Sequence, residues 1–220
     1  TSQFTETRRS NEYNTKIDAA ELMKKAMDTL KKVQYGSGGI IIDHINDPNQ
    51  TGLVGPKFSH ISTGEGKLDD KLSTLNPNFA AVIVQMMFDA GVTHGDQVAV
   101  SMTGSMPGSN IAVLSACEAI GVTPIIISSV GSSQFGATDP YFTWLHMESI
   151  LIEKNIFKQR SSAVSIGGKR DIGGGMSQAG ISIVEDIFQR NNQSKIIDGK
   201  KLIDRIHQRL IHYEDLKNTE

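Results

Sequence analysis

Three Gly/Ser-rich stretches carry most of the side chains able to do chemistry. The first runs Ser101-Met-Thr103-Gly104-Ser105-Met-Pro-Gly108-Ser109-Asn110, just ahead of an apolar helical pattern. Glycines let a backbone turn tightly, and the free N–H groups of a helix start favour an anion. Ser105 or Ser109 is placed to cap that helix, and Thr103 or Ser105 to donate to a phosphate or carboxylate. The second stretch holds Ser132, Ser133 and Thr138 and closes on Asp139-Pro140, which reads as a cap followed by the first helical residue. The third, Gly167 to Ser177, puts five glycines into nine residues. Such a run is costly to order unless backbone must approach a ligand closely or the loop acts as a lid. Lys169 and Arg170 add positive charge there, and Ser177 reads as the next cap.

This inventory of hydroxyls, backbone donors and two cations suits a carboxylate, a phosphate or an acidic polymer. The residues expected to hold such a ligand are Thr103, Gly104, Ser109, Asn110, Ser132, Ser133, Asp139, Gly168, Lys169 and Arg170. Ser105 is the candidate nucleophile, between a strand and a helix, with Asp171 or Lys169 assisting; the flanking Gly-x-Ser-x-Gly of a nucleophile elbow is absent. No Walker or dinucleotide fingerprint occurs, and no cofactor is expected. No metal is expected either: Asp43-His44 and Asp47-Pro-Asn49 read as Asx-rich turns. Cys117, the single cysteine, sits inside a helical pattern and reads as a buried structural thiol.

Alternating strands and helices must position these loops. Strands are expected at 97–102, 124–129 and 163–166, with a marginal one at 195–197. Helices are expected at about 79–90, 109–120, 140–154, 177–190 and 200–212, after a first one that starts at Asp18. The Pro124–Ile127 run is continuously apolar, as in a parallel strand covered on both faces. The fold class is therefore α/β: three layers, a mostly parallel sheet with helices on both faces, Rossmann-like but without the dinucleotide fingerprint. Right-handed crossovers place every strand-to-helix loop on one sheet edge. Residues 1–17 read as a loose N-terminal segment and 18–220 as a single α/β domain. Residues 40–76 form a long connector or cover, with possible short strands at 40–42 and 53–58.

A formal charge of -2 gives no general attraction to nucleic acid, and basic residues are not interleaved with aromatics. No apolar run is long enough to span a bilayer. The chain opens Thr1-Ser2-Gln3 without methionine, which fits a processed terminus or an upstream anchor not included.

With these pieces laid out, the chain resembles the poly-gamma-glutamate system protein family. The resemblance rests on Asp47–Gly55, Thr74–Ala81, Gly104–Ala112, Ile127–Ser133, Asp139–Trp144 and the glycine-rich Gly167–Ser177. It implies an accessory component of poly-gamma-glutamate synthesis or export, working beside membrane ligase and export proteins. It also implies an extracytoplasmic location with an N-terminal membrane anchor, against a cytoplasmic alternative. The family brings no catalytic residue with it. The unit Val98–Ile120 is similar to phosphosugar-binding domains of the sugar-isomerase type, an analogy for anion binding alone. The leading expectation is an accessory domain that binds an acidic polymer or small anion at the three loops. The alternatives are a serine-nucleophile hydrolase or transferase acting on gamma-glutamyl or related bonds, and an assembly module contacting a membrane partner.

Overall fold

A computed structural model of the chain describes residues 12–36, 43–193 and 195–217. Its elements run α1 (Tyr13–Gly36), β1 (Ser62–Gly64), α2 (Leu68–Ser73), α3 (Asn78–Asp89), β2 (Gln97–Thr103) and α4 (Pro107–Ile120). They continue with β3 (Thr123–Ser129), β4 (Ser132–Ser133), α5 (Trp144–Glu153), β5 (Ala163–Ser165), α6 (Gln178–Arg190) and α7 (Leu202–Lys217). The fold is α/β, with all paired strands parallel.

The main sheet has the order β2-β3-β5, and a single parallel bridge from Val164 to Ile196 extends it at the marginal strand. Strands thus add in one direction without reversal. Right-handed crossovers then put α4, α5 and α6 on one face. Packing agrees: one cluster joins Val100, Met102, Ile126 and Val164 of the sheet with Leu114 of α4, Trp144 and Leu151 of α5, and Val184 and Phe188 of α6. Met23 and Leu30 of α1 and Ala80 and Val84 of α3 belong to the same cluster. Cys117 is buried in it, and burial pushes its thiol up to about 12.

The second face carries α7. Ile127, Ala163 and Ile197 form a small cluster there, against which Tyr213 packs. Arg209 of α7 donates to Ser165 Oγ at 2.7 Å and to Asp171 Oδ2 at 2.8 Å. Tyr213 donates its hydroxyl to the Val100 carbonyl at 2.9 Å. The Arg209 guanidinium therefore helps pin the third loop to α7. Arg209→Leu should cost about 2 kcal/mol, since it strands a mostly buried carboxylate. Hydrogen exchange should then rise together in 167–175 and in α7; exchange unchanged in the loop would contradict this coupling.

Several boundaries differ from the sequence expectations. α1 begins at Tyr13 rather than Asp18, and Lys16 in its first turns reaches Gln85 of α3. The 53–58 stretch is not a strand; the cover pairs through β1 instead, with Ser62 opposite Ser132 and Gly64 opposite Ser133. Residues 40–42 lie outside the described residues. α2 was hidden in a charged stretch with little periodicity. α5 starts at Trp144, because Asp139 makes a turn instead of a cap: its carboxylate accepts from Tyr141 N and its carbonyl from Phe142 N. Neither Ser105 nor Ser109 caps α4; its N-cap is Met106, Pro107 stands at the first position and no side chain accepts there. Ser177 does cap α6, accepting from Gly180 N at 3.2 Å.

Candidate functional site

At the carboxyl edge of β2 and β3 the first two loops interlock. Gly104 N donates to the Ser129 carbonyl at 2.8 Å, and Ala137 N to the Gly104 carbonyl at 2.7 Å. Ser132 Oγ donates to the Gly104 carbonyl at 3.0 Å, and Ser133 N donates to Ser105 Oγ at 2.9 Å. The cover strand seals this edge from outside, with Gln134 N donating to the Gly64 carbonyl. Many of the glycines serve that closeness. A Cβ on Gly104 would strike the Val130 carbonyl, one on Gly136 the Gly104 carbonyl at 2.8 Å, and one on Gly66 the Gln134 carbonyl at 2.7 Å.

Into this edge the cover brings Lys71, a residue the sequence reading passed over. It lies on α2, is 6% exposed, and its Nζ stands 2.8 Å from Ser133 Oγ and 3.4 Å from Met106 Sδ. Among the described residues it has no carboxylate within ion-pair distance. Burial lowers its pKa from the ordinary lysine value, with the neighbouring Asp70 charge opposing in part. A buried amine without a counter-ion favours its neutral form. That form can accept a proton from a hydroxyl. Lys71, Ser133 and Ser105 thus make one contiguous set, half-buried at the two serines. Next to it, α4 opens without a side-chain acceptor for its first N–H groups.

The other expected site residues scatter more widely. Thr103 accepts from Ser105 N, and Asn110 donates to the Thr103 carbonyl at 2.8 Å, so both brace the first loop. Ser109 is inside α4. The third loop abuts the second through Gly131 N, which donates to the Ile166 carbonyl at 2.8 Å. Its polar side chains turn elsewhere. Asp171 accepts from Gly167 N and from Arg209, facing α7. Gly168 packs on Gly174, and Lys169 N donates to the Gly174 carbonyl within a tight excursion where Arg170 and Asp171 both have φ of +61°. Lys169 and Arg170 are exposed. No hydrogen bond joins Lys169, Arg170 or Asp171 to Ser105, Ser132 or Ser133 among the described residues.

Asp139 belongs to a different feature. It lines a cavity of about 310 Å³ with Tyr35, Asp43, Asp47, Gly55 and Phe142. Burial, then the Asp47 charge, raises the pKa of Tyr35 there. Three carboxylates make this cavity a poor host for another anion. Asp47 is satisfied internally by Thr51 Oγ1 and Gly52 N, as the turn reading required.

A second buried polar network lies under the sheet, away from the loops. Trp144 Nε1 donates to Ser128 Oγ at 3.2 Å, and Ser161 Oγ lies 2.7 Å from both Ser128 Oγ and Glu148 Oε1. Trp144 is fully buried and belongs to the core. Glu148 is 1% exposed and its Oε2 has no partner, which burial answers by raising its pKa to about 7. The folded protein then keeps a proton that the unfolded chain releases from about 4.5 upward. Stability from this group is complete below about 4.5 and is lost as pH rises to about 7. Denaturant titrations should show that slope, at most ~1.4 kcal/mol per pH unit, and Glu148→Gln should abolish it. An unchanged slope in the variant would assign the pH dependence elsewhere.

No family model, no curated protein and no solved structure matches the chain.

Proposed function

We propose that the protein is a serine-nucleophile hydrolase or transferase acting on gamma-glutamyl or related acyl bonds, with Ser133 as nucleophile and Lys71 as its base. The observation that carries this reading is the buried Lys71 amine, without an ion pair among the described residues, 2.8 Å from the Ser133 hydroxyl. Serine–lysine pairs recur as an alternative to the histidine-based triad. Neutral Lys71 takes the Ser133 proton as Oγ attacks the acyl carbonyl. Collapse of the tetrahedral intermediate expels the amine, which receives the proton back from Lys71. Water then hydrolyses the acyl-enzyme, or an acceptor amine takes the acyl group. Ser105 fixes the nucleophile's backbone through its bond from Ser133 N.

The substrate class comes from the resemblance to poly-gamma-glutamate system proteins together with the local charge. A gamma-linked glutamyl residue carries a free α-carboxylate beside the scissile amide. The N-terminus of α4, which no side chain caps, would attract that carboxylate beside the Thr74 carbonyl that packs on Gly108. On the same ground we place the protein with membrane synthesis and export partners, outside the cytoplasm.

A hydroxyl-reactive fluorophosphonate, followed by peptide mapping, tests the nucleophile directly. Ser133 should label well ahead of the exposed serines, and Lys71→Met should abolish the preference. Labelling of Ser133 no faster than of Ser101 would remove catalysis from the reading. It would leave the second one, a binding domain for acidic polymer, which is favoured by the exposed Lys169 and Arg170 and is scored by salt-sensitive binding of gamma-linked glutamate oligomers.

A further inference from the structure

A surface helix ordinarily buries its apolar stripe and shows water its polar one. α7 is mounted the other way round. Arg205 and His212 are 5% and 9% exposed, and with Arg209 they face the body of the protein. Arg205 holds the Gly199 and Asp171 carbonyls and the Asp198 carboxylate, and His212 Nε2 lies 2.9 Å from Ser162 Oγ. Ile203, Ile206 and Leu210, spaced at three and four residues, are instead 50%, 41% and 53% exposed, and Leu202, at 45%, and Ile211 extend the patch.

The sheet beneath is open on the same face. With every crossover helix on the first face, α7 is the one helix on the second among the described residues, and the edge strand β2 leaves Ala99 and Ser101 exposed there. Parallel sheets are otherwise covered on both faces. A contiguous aliphatic patch of this kind marks an interface.

We infer that this face pairs with a second copy of the chain, α7 lying antiparallel to its mate across a two-fold axis between Ile206 and Leu210. The charges of the helix select this occupant. Exposed Lys200 and Lys201 stand at its amino end and exposed Glu214 and Asp215 near its carboxyl end. These two pairs oppose the helix's own dipole, which Asp204 in the first turn and Lys217 in the last turn follow. An antiparallel mate brings each lysine pair against the other copy's acidic pair, a self-complementary arrangement that a two-fold interface requires. A neutral lipid surface offers no partner for either pair.

Sedimentation equilibrium of the full chain tests this. The wild type should sediment at twice its 23.9 kDa mass. Ile206→Gln with Leu210→Gln should sediment as a monomer with unchanged circular dichroism, because both side chains point outward. Lys200→Glu with Lys201→Glu should weaken the dimer at least tenfold, and adding Glu214→Lys and Asp215→Lys should restore it. A wild type that stays monomeric at high micromolar concentration overturns the inference, as does a dimer indifferent to the double glutamine variant. Monomers that float with phosphatidylcholine vesicles, and lose this in the same variant, would reassign the face to a membrane.

Discussion

Lys71→Met should leave the protein folded and cut turnover of gamma-linked glutamate oligomers by roughly 10²–10⁴-fold, the range for removing a positioned general base. Stability should change by no more than about 1 kcal/mol, because the variant loses one hydrogen bond but also one buried amine that lacks a counter-ion. Ser133→Ala should lose as much activity, and the double variant no more than either single one, since the two act as a unit. The decisive variant is Lys71→Arg. A guanidinium keeps the charge but does not deprotonate near neutrality. If Lys71 serves as base, the arginine variant is as inactive as the methionine one. If it serves only to hold a carboxylate, arginine preserves most of the function. In the wild type the rate should rise with pH through a value below the ordinary lysine range, because burial lowers the Lys71 pKa. Release of free amine, followed across pH, reads all of these.

Nothing local in the sequence marks Lys71. It sits in Lys67-Leu-Asp-Asp-Lys71, a stretch whose charge density reads as solvated surface. Only the parallel pairing of β1 with β4 carries it to a serine 62 positions away. No local pattern encodes that meeting. The sheet, by contrast, was legible. Ile125, Ile126 and Ile127 are continuously apolar and buried as a central strand demands, and the Gly121 that ends α4 takes the left-handed φ of +82° that glycine permits. The length of the 40–76 connector marked it as a connector or cover, but not the parallel pairing of Ser62–Gly64 with Ser132–Ser133.

The inversion of α7 shows the same division. Its 3.6-residue periodicity announces a helix, but periodicity places the apolar stripe toward a core. The third loop decides otherwise. Asp171 and the carbonyls around it need donors, and Arg205 and Arg209 supply them only if α7 turns its cationic side inward. Among the expected site residues, Ser105 and Ser133 meet where glycine and serine crowd a strand end. Asp171, expected beside Ser105, instead accepts from Arg209, 38 residues further on.

Gly175→Ala should unfold the protein more readily by about 3 kcal/mol. The residue has a φ of +103°, which alanine tolerates poorly, and a Cβ there would run into the Thr63 carbonyl oxygen and lie 2.6 Å from its carbon. Both obstacles are main chain, so neither can swing aside. Thr63 belongs to β1, the strand that holds the cover on β4 and sits directly before the turn to α2. Loosening it should therefore act at a distance: Lys71 loses its register against Ser133, and activity falls at temperatures where the core is still folded. Gly64→Ala is the matched control, with no atom within 4 Å of its added methyl and an ordinary backbone, and should cost less than ~0.5 kcal/mol. Urea denaturation beside an activity assay separates the outcomes. If Gly175→Ala were as stable as Gly64→Ala, the third loop would not be packed on the cover, and the glycines there would regain the ligand-approach role that their number first suggested. If it were destabilised yet fully active when folded, the cover would not be what positions Lys71.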